Sequence, residues 1–361
     1  MTTYRYKRIT VKVGSNVLTS PQGGLDVNRL SAIIDQVATL RKAGVEVILV
    51  SSGAVASGRG LVKPNRKLDP LDQRQLFSAV GQAILINEYY RLFRERGLVC
   101  GQVLTTKENF HSRRHYLNQK NCMTVMLENG VIPVVNENDT ISVTELMFTD
   151  NDELSGLIAT MMDAEALIIL SNIDGIYNGH PSDPDASVIP IIQPGVDVKQ
   201  YISAEKSSFG RGGMLTKTNI ARKVAEEGIT VYITNGLKSN RLIDLLNPDI
   251  EVPNTCFTPG TKAASAVKKW IAHSDGFAKG EVHINEGCFK ALLDKGATSL
   301  LPVGITRIAG TFEKGDIIGI YDPAGNQIGV GKAQYGSNSA KDVVGQKGER
   351  PLIHYDYLYL D

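Results

Sequence analysis

The sequence predicts an α/β protein, a mainly parallel sheet with helices on both faces, followed by a small β-barrel domain. Three observations carry this. Runs of β-branched and aliphatic residues recur at 9–13, 45–50, 99–104, 131–135, 166–170 and 230–234, and they are apolar almost throughout rather than alternating, as in strands covered on both faces. Between them lie helical stripes. Leu30, Ile33, Ile34, Val37 and Leu40 form one, and Leu76, Val80, Ile84 and Leu85 begin a longer one that continues to Leu92 and Phe93. Glycines stand where such helices would end, at Gly44, Gly97, Gly130 and Gly228. Finally, the rhythm changes near residue 236: prolines at 248, 253 and 259 break the pattern, and a short helix is expected over 262–271. Strand-like pieces follow at 282–284, 299–302, 305–309, 317–321 and 328–333, the turn spacing of a small barrel. The expected organisation is one domain over residues 1–257, a linker over 258–277 and a second domain over 278–361.

Composition bounds the function. The chain has 361 residues, 42% hydrophobic and 21% charged, with a formal net charge of +1. That balance suits a soluble globular protein and gives no reason to expect a nucleic-acid or membrane partner. Cys100, Cys122, Cys256 and Cys288 lie far apart with no metal-ligand spacing, as expected of reduced thiols in a cytoplasmic protein. No stretch has the length of a signal peptide or of a membrane span.

Taken in chain order, the strands run into polar clusters, where an α/β sheet places its ligands. The first leads into KVGSN and carries Lys12, whose ammonium must snorkel or meet an anion. The second ends in Ser51-Ser52-Gly53-Ala54, hydroxyls and a close-approach glycine at a helix start. Gly53 and Gly58 have the glycine spacing of a P-loop, but Arg59 and Gly60 follow instead of Lys and Ser or Thr, so that motif is rejected. After the fourth comes NENDTIS, then FTDNDELS. Each reads alone as turn and cap chemistry, with Asp152 and Ser155 at a helix start. Together they offer carboxylates for an ammonium, amides for a carboxylate and a further carboxylate to order lysines or a cation, which suits an amino-acid substrate. The fifth strand ends in LSNIDGIY. The stretch FGRGGMLTK then precedes a helix, and three glycines in four positions, Gly210, Gly212 and Gly213, allow successive N–H groups to converge on an anion. Alone it reads first as a connecting loop. Lys217 falls in the first turns of the helix that follows, near the positive end of its dipole.

Two lysines, amide donors and glycines without an obvious histidine base match phosphoryl transfer, where catalysis is mainly positioning and charge neutralisation. A carboxylate nucleophile, with an ordinary pKa of about 4.3 for Glu, is already deprotonated and needs no base. His111 and His115, four apart in HSRRH, are a weak metal pair: no matched carboxylate or cysteine follows, and Arg113 and Arg114 repel a cation.

The ordered set KVGSNVL, VSSGAVASG, VIPVVNENDTIS, TDNDELS, LSNIDGIY and GRGGMLTK resembles the amino-acid kinase family, and residues 280–322 resemble a PUA domain. A kinase of this kind followed by a PUA domain points to the glutamate-phosphorylating branch of the family. The resemblance implies an α/β/α sandwich. It implies transfer of the γ-phosphoryl group of ATP to the side-chain carboxylate of L-glutamate, with Mg²⁺, to give L-glutamyl 5-phosphate, the first step of proline biosynthesis. By matching motif, Lys12 and Lys217 would stabilise the transferring group, with Asp150 and Asp152 organising the lysines and Mg²⁺. Ser52, Gly53, Asp139 and Asn151 would bind glutamate. Lys12, Gly14, Ser171 and Asn172 would lie at the nucleotide, and Arg211, Gly212, Gly213, Met214, Leu215, Thr216 and Lys217 would embrace its phosphates. No metal ligand is assigned. Arg211 stands where Thr is usual and Asn172 where Asp is usual, while Thr218 and Ile220 replace more usual aliphatic and small residues. The labile product implies glutamate-5-semialdehyde dehydrogenase as downstream partner, and the family implies proline as feedback inhibitor and a homo-oligomer, dimer or tetramer.

Two other readings stand beside this one. PUA domains occur in RNA-modifying enzymes, but from Ala278 onward nine Lys or Arg face ten Asp or Glu, an unfavourable balance for phosphate contacts, so RNA is not the expected partner. Aspartate, N-acetylglutamate, carbamate or a nucleoside monophosphate are acceptors of other kinases of the fold. Asp139 suits a free α-ammonium, which N-acetylglutamate and carbamate lack.

Overall fold

The computed structural model describes residues 3–111, 113–142, 148, 150–179, 185–196, 214–260, 278–294 and 298–360. Contacts divide the chain into two compact units, Met1–Asn109 with Leu117–Ala263, and Phe110–Tyr116 with Ala264–Asp361. Up to residue 260 the described elements run β1 (Arg8–Val13), α1 (Ser15–Leu18), α2 (Val27–Lys42), β2 (Glu46–Ser51), α3 (Ala54–Arg59), α4 (Pro70–Glu95), β3 (Val99–Thr105), α5 (Lys107–His111), α6 (Arg113–Glu128), β4 (Val131–Glu137), α7 (Asn151–Met161), β5 (Ala166–Ser171), β6 (Ile191–Ile192), α8 (Met214–Glu226), β7 (Thr230–Asn235), α9 (Arg241–Leu246) and β8 (Thr255–Phe257). Their strands form one sheet in the order β3-β4-β2-β1-β5-β7-β8-β6, and every pairing is parallel except β7 with β8.

Local chemistry sets the helix limits. The Asp26 side chain accepts from Arg29 N at 2.9 Å and caps α2. Asp69 caps α4, accepting from Leu71 N and Asp72 N, with Pro70 in the first turn, where a missing N–H costs nothing. Gly44, Gly97, Gly130 and Gly228 all take positive φ just past helix ends, as their positions in the sequence suggest.

Alternation along β1 decides where the chemistry falls. Ile9, Val11 and Val13 pack on one face with residues of α2, α4 and α9. Lys12 therefore points to the other face, where Ala159 of α7 and Ala221, Val224 and Ala225 of α8 cover the sheet. Since β1 pairs with β2 on one side and β5 on the other, the chain reverses its direction of winding here, and a crevice opens beyond the carboxyl ends of these strands.

All six expected strands match within two residues. One of them, β3, is not covered on both faces as its apolar run suggested: it is an edge strand, with Val99 60% and Leu104 39% exposed. β6 and β8 were not anticipated. The second unit holds β9 (Gly280–Ile284), β10 (Ile305–Gly310), β11 (Ile317–Tyr321), β12 (Gln327–Ala333) and β13 (Ile353–Leu360), in the order β10-β9-β11-β12-β13. Helices Glu286–Asp294 and Ser337–Asp342 accompany them, and Val282, Ile284, Phe312, Ile318, Ile320, Leu352 and Ile353 form the core. The strand expected over 299–302 is instead a single bridge from Leu300 to Ile353 and a 3₁₀ turn, Pro302–Gly304, while β13 was not foreseen. The helix expected over 262–271 lies outside the described residues. No described helix is long and apolar enough to cross a membrane.

Candidate active site

A cavity of about 930 Å³ opens beyond the ends of β1, β2, β4 and β5. Its wall holds Lys12, Gly14, Ser52, Gly53, Asp139, Asp150, Asn151, Asp152, Ser171, Asn172, Met214 and Lys217, so it brings together candidate residues from six separate stretches of the sequence.

At its floor one carboxylate holds two cations. Asp152 Oδ1 lies 2.7 Å from Lys12 Nζ, and Oδ2 lies 3.1 Å from Lys217 Nζ. Lys12 comes from the central strand, Asp152 from the first turn of α7 and Lys217 from the first turn of α8, so three elements on one face of the sheet converge. Burial pushes the Asp152 carboxyl up, but the two ammoniums outweigh it and hold it below the usual carboxylate range. Asp150 differs. It is the N-cap of α7, accepting from Asp152 N at 2.8 Å and Glu153 N at 3.1 Å, so the cap role open to Asp152 in the sequence belongs to Asp150. Burial, then the charge of Asp152, push the Asp150 carboxyl up to about 6, against the pull of Lys12.

A second polar layer stands behind Ser52. Gly53 takes φ +105°, a left-handed conformation that turns the chain into α3. Asn151 Nδ2 donates to Ser51 O at 2.8 Å, Ser52 Oγ at 3.0 Å and Asn136 Oδ1 at 3.0 Å, and Asn136 Nδ2 in turn donates to Gln82 Oε1. Tyr89, fully buried on α4, shares a hydrogen bond of 2.8 Å with Ser51 Oγ. Beyond them, Arg74 of α4 binds both Glu137 Oε2, at 2.5 Å, and Asp139 Oδ1. Burial raises the Glu137 carboxyl and Arg74 opposes it. Asn136 and Glu137 belong to the NENDTIS cluster but carry no individual role in the sequence, and Arg74 and Tyr89 are not singled out there. For Arg74 the only cue was a cation at the start of a long helix.

On the other side of the lysines, Gly14 N donates to Leu170 O, tying the β1 turn to the end of β5 beside Ser171 and Asn172. Met214 and Lys217, one turn apart on α8, face the cavity, whereas Leu215 and Thr216 are not among the residues lining it and Leu215 is exposed. Arg211, Gly212 and Gly213 lie outside the described residues, as does Ser112 of the HSRRH stretch.

The arrangement can neutralise an anion with two fixed ammoniums while presenting amides and carboxylates to a neighbouring polar ligand. No histidine is among the described residues lining the cavity. Among the described residues no cluster of three or more His, Cys, Asp or Glu could enclose a metal by itself. Asp150 Oδ2 is nevertheless buried with no hydrogen-bond partner among the described residues, which fits a site where one carboxylate and substrate phosphates share a Mg²⁺.

Comparison with known proteins bears on this cavity. The family described as the amino acid kinase family matches residues 7–235, and the PUA domain matches residues 280–354. A glutamate 5-kinase of Bacteroides thetaiotaomicron is 68% identical over 356 residues, covering 99% of this chain and 99% of that protein. One of Chlorobaculum tepidum is 48% identical over 361 residues, 98% of each chain. Among solved structures, an isopentenyl phosphate kinase matches with a TM-score of 0.50 at 17% identity, over 70% of this chain and 100% of that one, a likeness of fold.

Proposed function

The chain belongs to the amino acid kinase family, in its glutamate 5-kinase branch with a PUA domain, and on that premise we propose that it transfers the γ-phosphoryl group of ATP to the side-chain carboxylate of L-glutamate by in-line displacement. The observation that carries the mechanism is the pairing of Lys12 and Lys217 on the two oxygens of Asp152. Phosphoryl transfer asks for charge placed in advance on the equatorial oxygens, not for covalent participation by the protein. Asp152 cancels one of the two positive charges and keeps both ammoniums in place, so the triad offers a net positive, pre-positioned anion site.

The glutamate carboxylate attacks the γ-phosphorus, the bond from that phosphorus to the β,γ-bridging oxygen breaks, and ADP leaves. The nucleophile is ionised at neutral pH, so no residue need take a proton. Ser52, Gly53 and Asn151 border the reacting carboxylate in this reading, and Asp139 faces the α-ammonium. Gly14, Ser171, Asn172, Met214 and Lys217 border the nucleotide. Asp150 would hold Mg²⁺ through Oδ2, the oxygen its N-cap role leaves without a hydrogen bond, and the ion, when bound, would add positive charge at the phosphates. The product is an acyl phosphate that water destroys, which favours a reductase such as glutamate-5-semialdehyde dehydrogenase as the next enzyme.

Hydroxylamine trapping tests the reading. With ATP, Mg²⁺ and glutamate, the protein should yield glutamyl hydroxamate; formation of another hydroxamate from aspartate or N-acetylglutamate, with none from glutamate, would assign it a different acceptor.

A further inference from the structure

We propose that Arg74 reads the α-carboxylate of the amino-acid substrate while Asp139 beside it reads the α-ammonium, so that the site requires a complete zwitterionic head group. The inference rests on the glutamate reading above and deepens it.

Three residues form a row on the cavity wall: Glu137, Arg74 and Asp139, acid, base and acid, with the guanidinium joined to both carboxylates. All three are largely withdrawn from water, with side chains 3%, 14% and 10% exposed in that order. Charges held there interact strongly with a ligand and are screened little by salt. A lone ammonium would be served by the carboxylates alone. The cation between them suits a ligand that carries its own negative charge next to its positive one.

The other positive groups on the wall are unsuited to that task. Lys12 and Lys217 are bound to Asp152 at the phosphoryl end. Arg59 is exposed, with its guanidinium carbon 5.6 Å from the Phe77 ring centroid. Arg74 is instead held in place at its root. Asp69 caps its helix, and Gln75, the next residue, donates to Thr140 O at 3.0 Å, so the segment after β4 is pinned to α4. A planar guanidinium fixed in this way matches a carboxylate geometrically, as a lysine ammonium does not.

The rival role for Arg74 is a tether that keeps Glu137 and Asp139 from repelling each other. Two glutamate analogues separate the roles: glutarate lacks only the α-ammonium, and 4-aminobutyrate lacks only the α-carboxylate. In the hydroxamate assay, Arg74→Gln should raise the KM for glutamate roughly 10- to 100-fold with a smaller change in kcat, the range of a lost charged hydrogen bond. It should raise the inhibition constant of glutarate by a similar factor and leave that of 4-aminobutyrate within about threefold. Arg74→Lys keeps the charge and serves if the Gln variant does not fold; it should show the same pattern with a smaller change. Equal effects on both analogues would assign Arg74 to tethering and overturn the proposal. A wild-type protein that makes no glutamyl hydroxamate would remove the underlying reading, and this inference with it; hydroxamate formation without discrimination by the Arg74 variants would remove this inference alone.

Discussion

Lys12 Nζ sits 2.7 Å from Asp152 Oδ1, with both side chains nearly sealed from water. The aspartate also holds Lys217 through its second oxygen, so replacing the aspartate and replacing a lysine differ in what they leave behind. Asp152→Ala strands the buried ammonium of Lys12 and the half-buried one of Lys217, and should cost about 3–5 kcal/mol of stability, the range for breaking a buried pair from one side. Lys217→Ala leaves Asp152 paired with Lys12 on a helix that accepts alanine, so it should lose most phosphoryl transfer and much less stability. Urea unfolding beside the hydroxamate rate measures both. A Lys217→Ala protein less stable than Asp152→Ala would contradict the pairing.

Asp150 gives stability a pH dependence of definite sign. Its folded pKa, about 6, lies above the ordinary 3.8, so between those values the folded state binds the extra proton. The contribution of Asp150 therefore falls as pH rises through about 4 to 6, by an amount on the order of 3 kcal/mol. Asp152 shifts the opposite way and is felt only below the ordinary carboxylate range. Asparagine keeps the N-cap of α7, so Asp150→Asn should abolish this slope without fraying the helix. Unfolding free energies of the two proteins compared from pH 4 to pH 7 give the answer, and parallel curves would mean that Asp150 titrates normally.

Much of this was legible beforehand. Lys12 betrayed itself as a charge inside an apolar strand, and strands buried on both faces left continuous apolar runs. What escaped depended on partners far along the chain. Arg74 meets Glu137 across 63 positions, and nothing in its neighbours Asp72, Gln73 and Gln75 marks it. The edge strand β3 was misjudged because Val99 and Leu104 are as apolar as core residues yet stand in the open. β13, reading IHYDYLYL, mixes charge and tyrosine in a way that suits one buried face and does not form an apolar run.

Close contact between α3 and α4 positions the Ser52-Gly53 turn. A Cβ at Gly81 would stand 1.8 Å from Ala54 O and 2.4 Å from Gly58 N. Gly81→Ala should therefore push α3 away, costing about 1–3 kcal/mol, and raise the KM for glutamate more than that for ATP. Steady-state kinetics with each substrate varied checks it. Equal changes in the two constants would uncouple α3 from the glutamate side.

Tyr89 acts more gently. Its hydroxyl meets Ser51 Oγ, which donates to Ser52 O at 2.9 Å. Tyr89→Phe should cost about 1 kcal/mol and weaken glutamate binding a few-fold, with kcat nearly kept. Thermal unfolding and glutamate saturation curves would show it.

The central claim is that the glutamate carboxylate itself attacks the γ-phosphorus. Glutamate carrying oxygen-18 in its side-chain carboxylate, incubated with ATP, Mg²⁺ and hydroxylamine, tests it most directly, because hydroxylamine cleaves the acyl phosphate at carbon and the bridging oxygen leaves with phosphate. The account predicts one labelled oxygen in each released phosphate, with glutamyl hydroxamate formed in equal amount. Unlabelled phosphate accompanying consumption of ATP would show that water, not glutamate, is the acceptor.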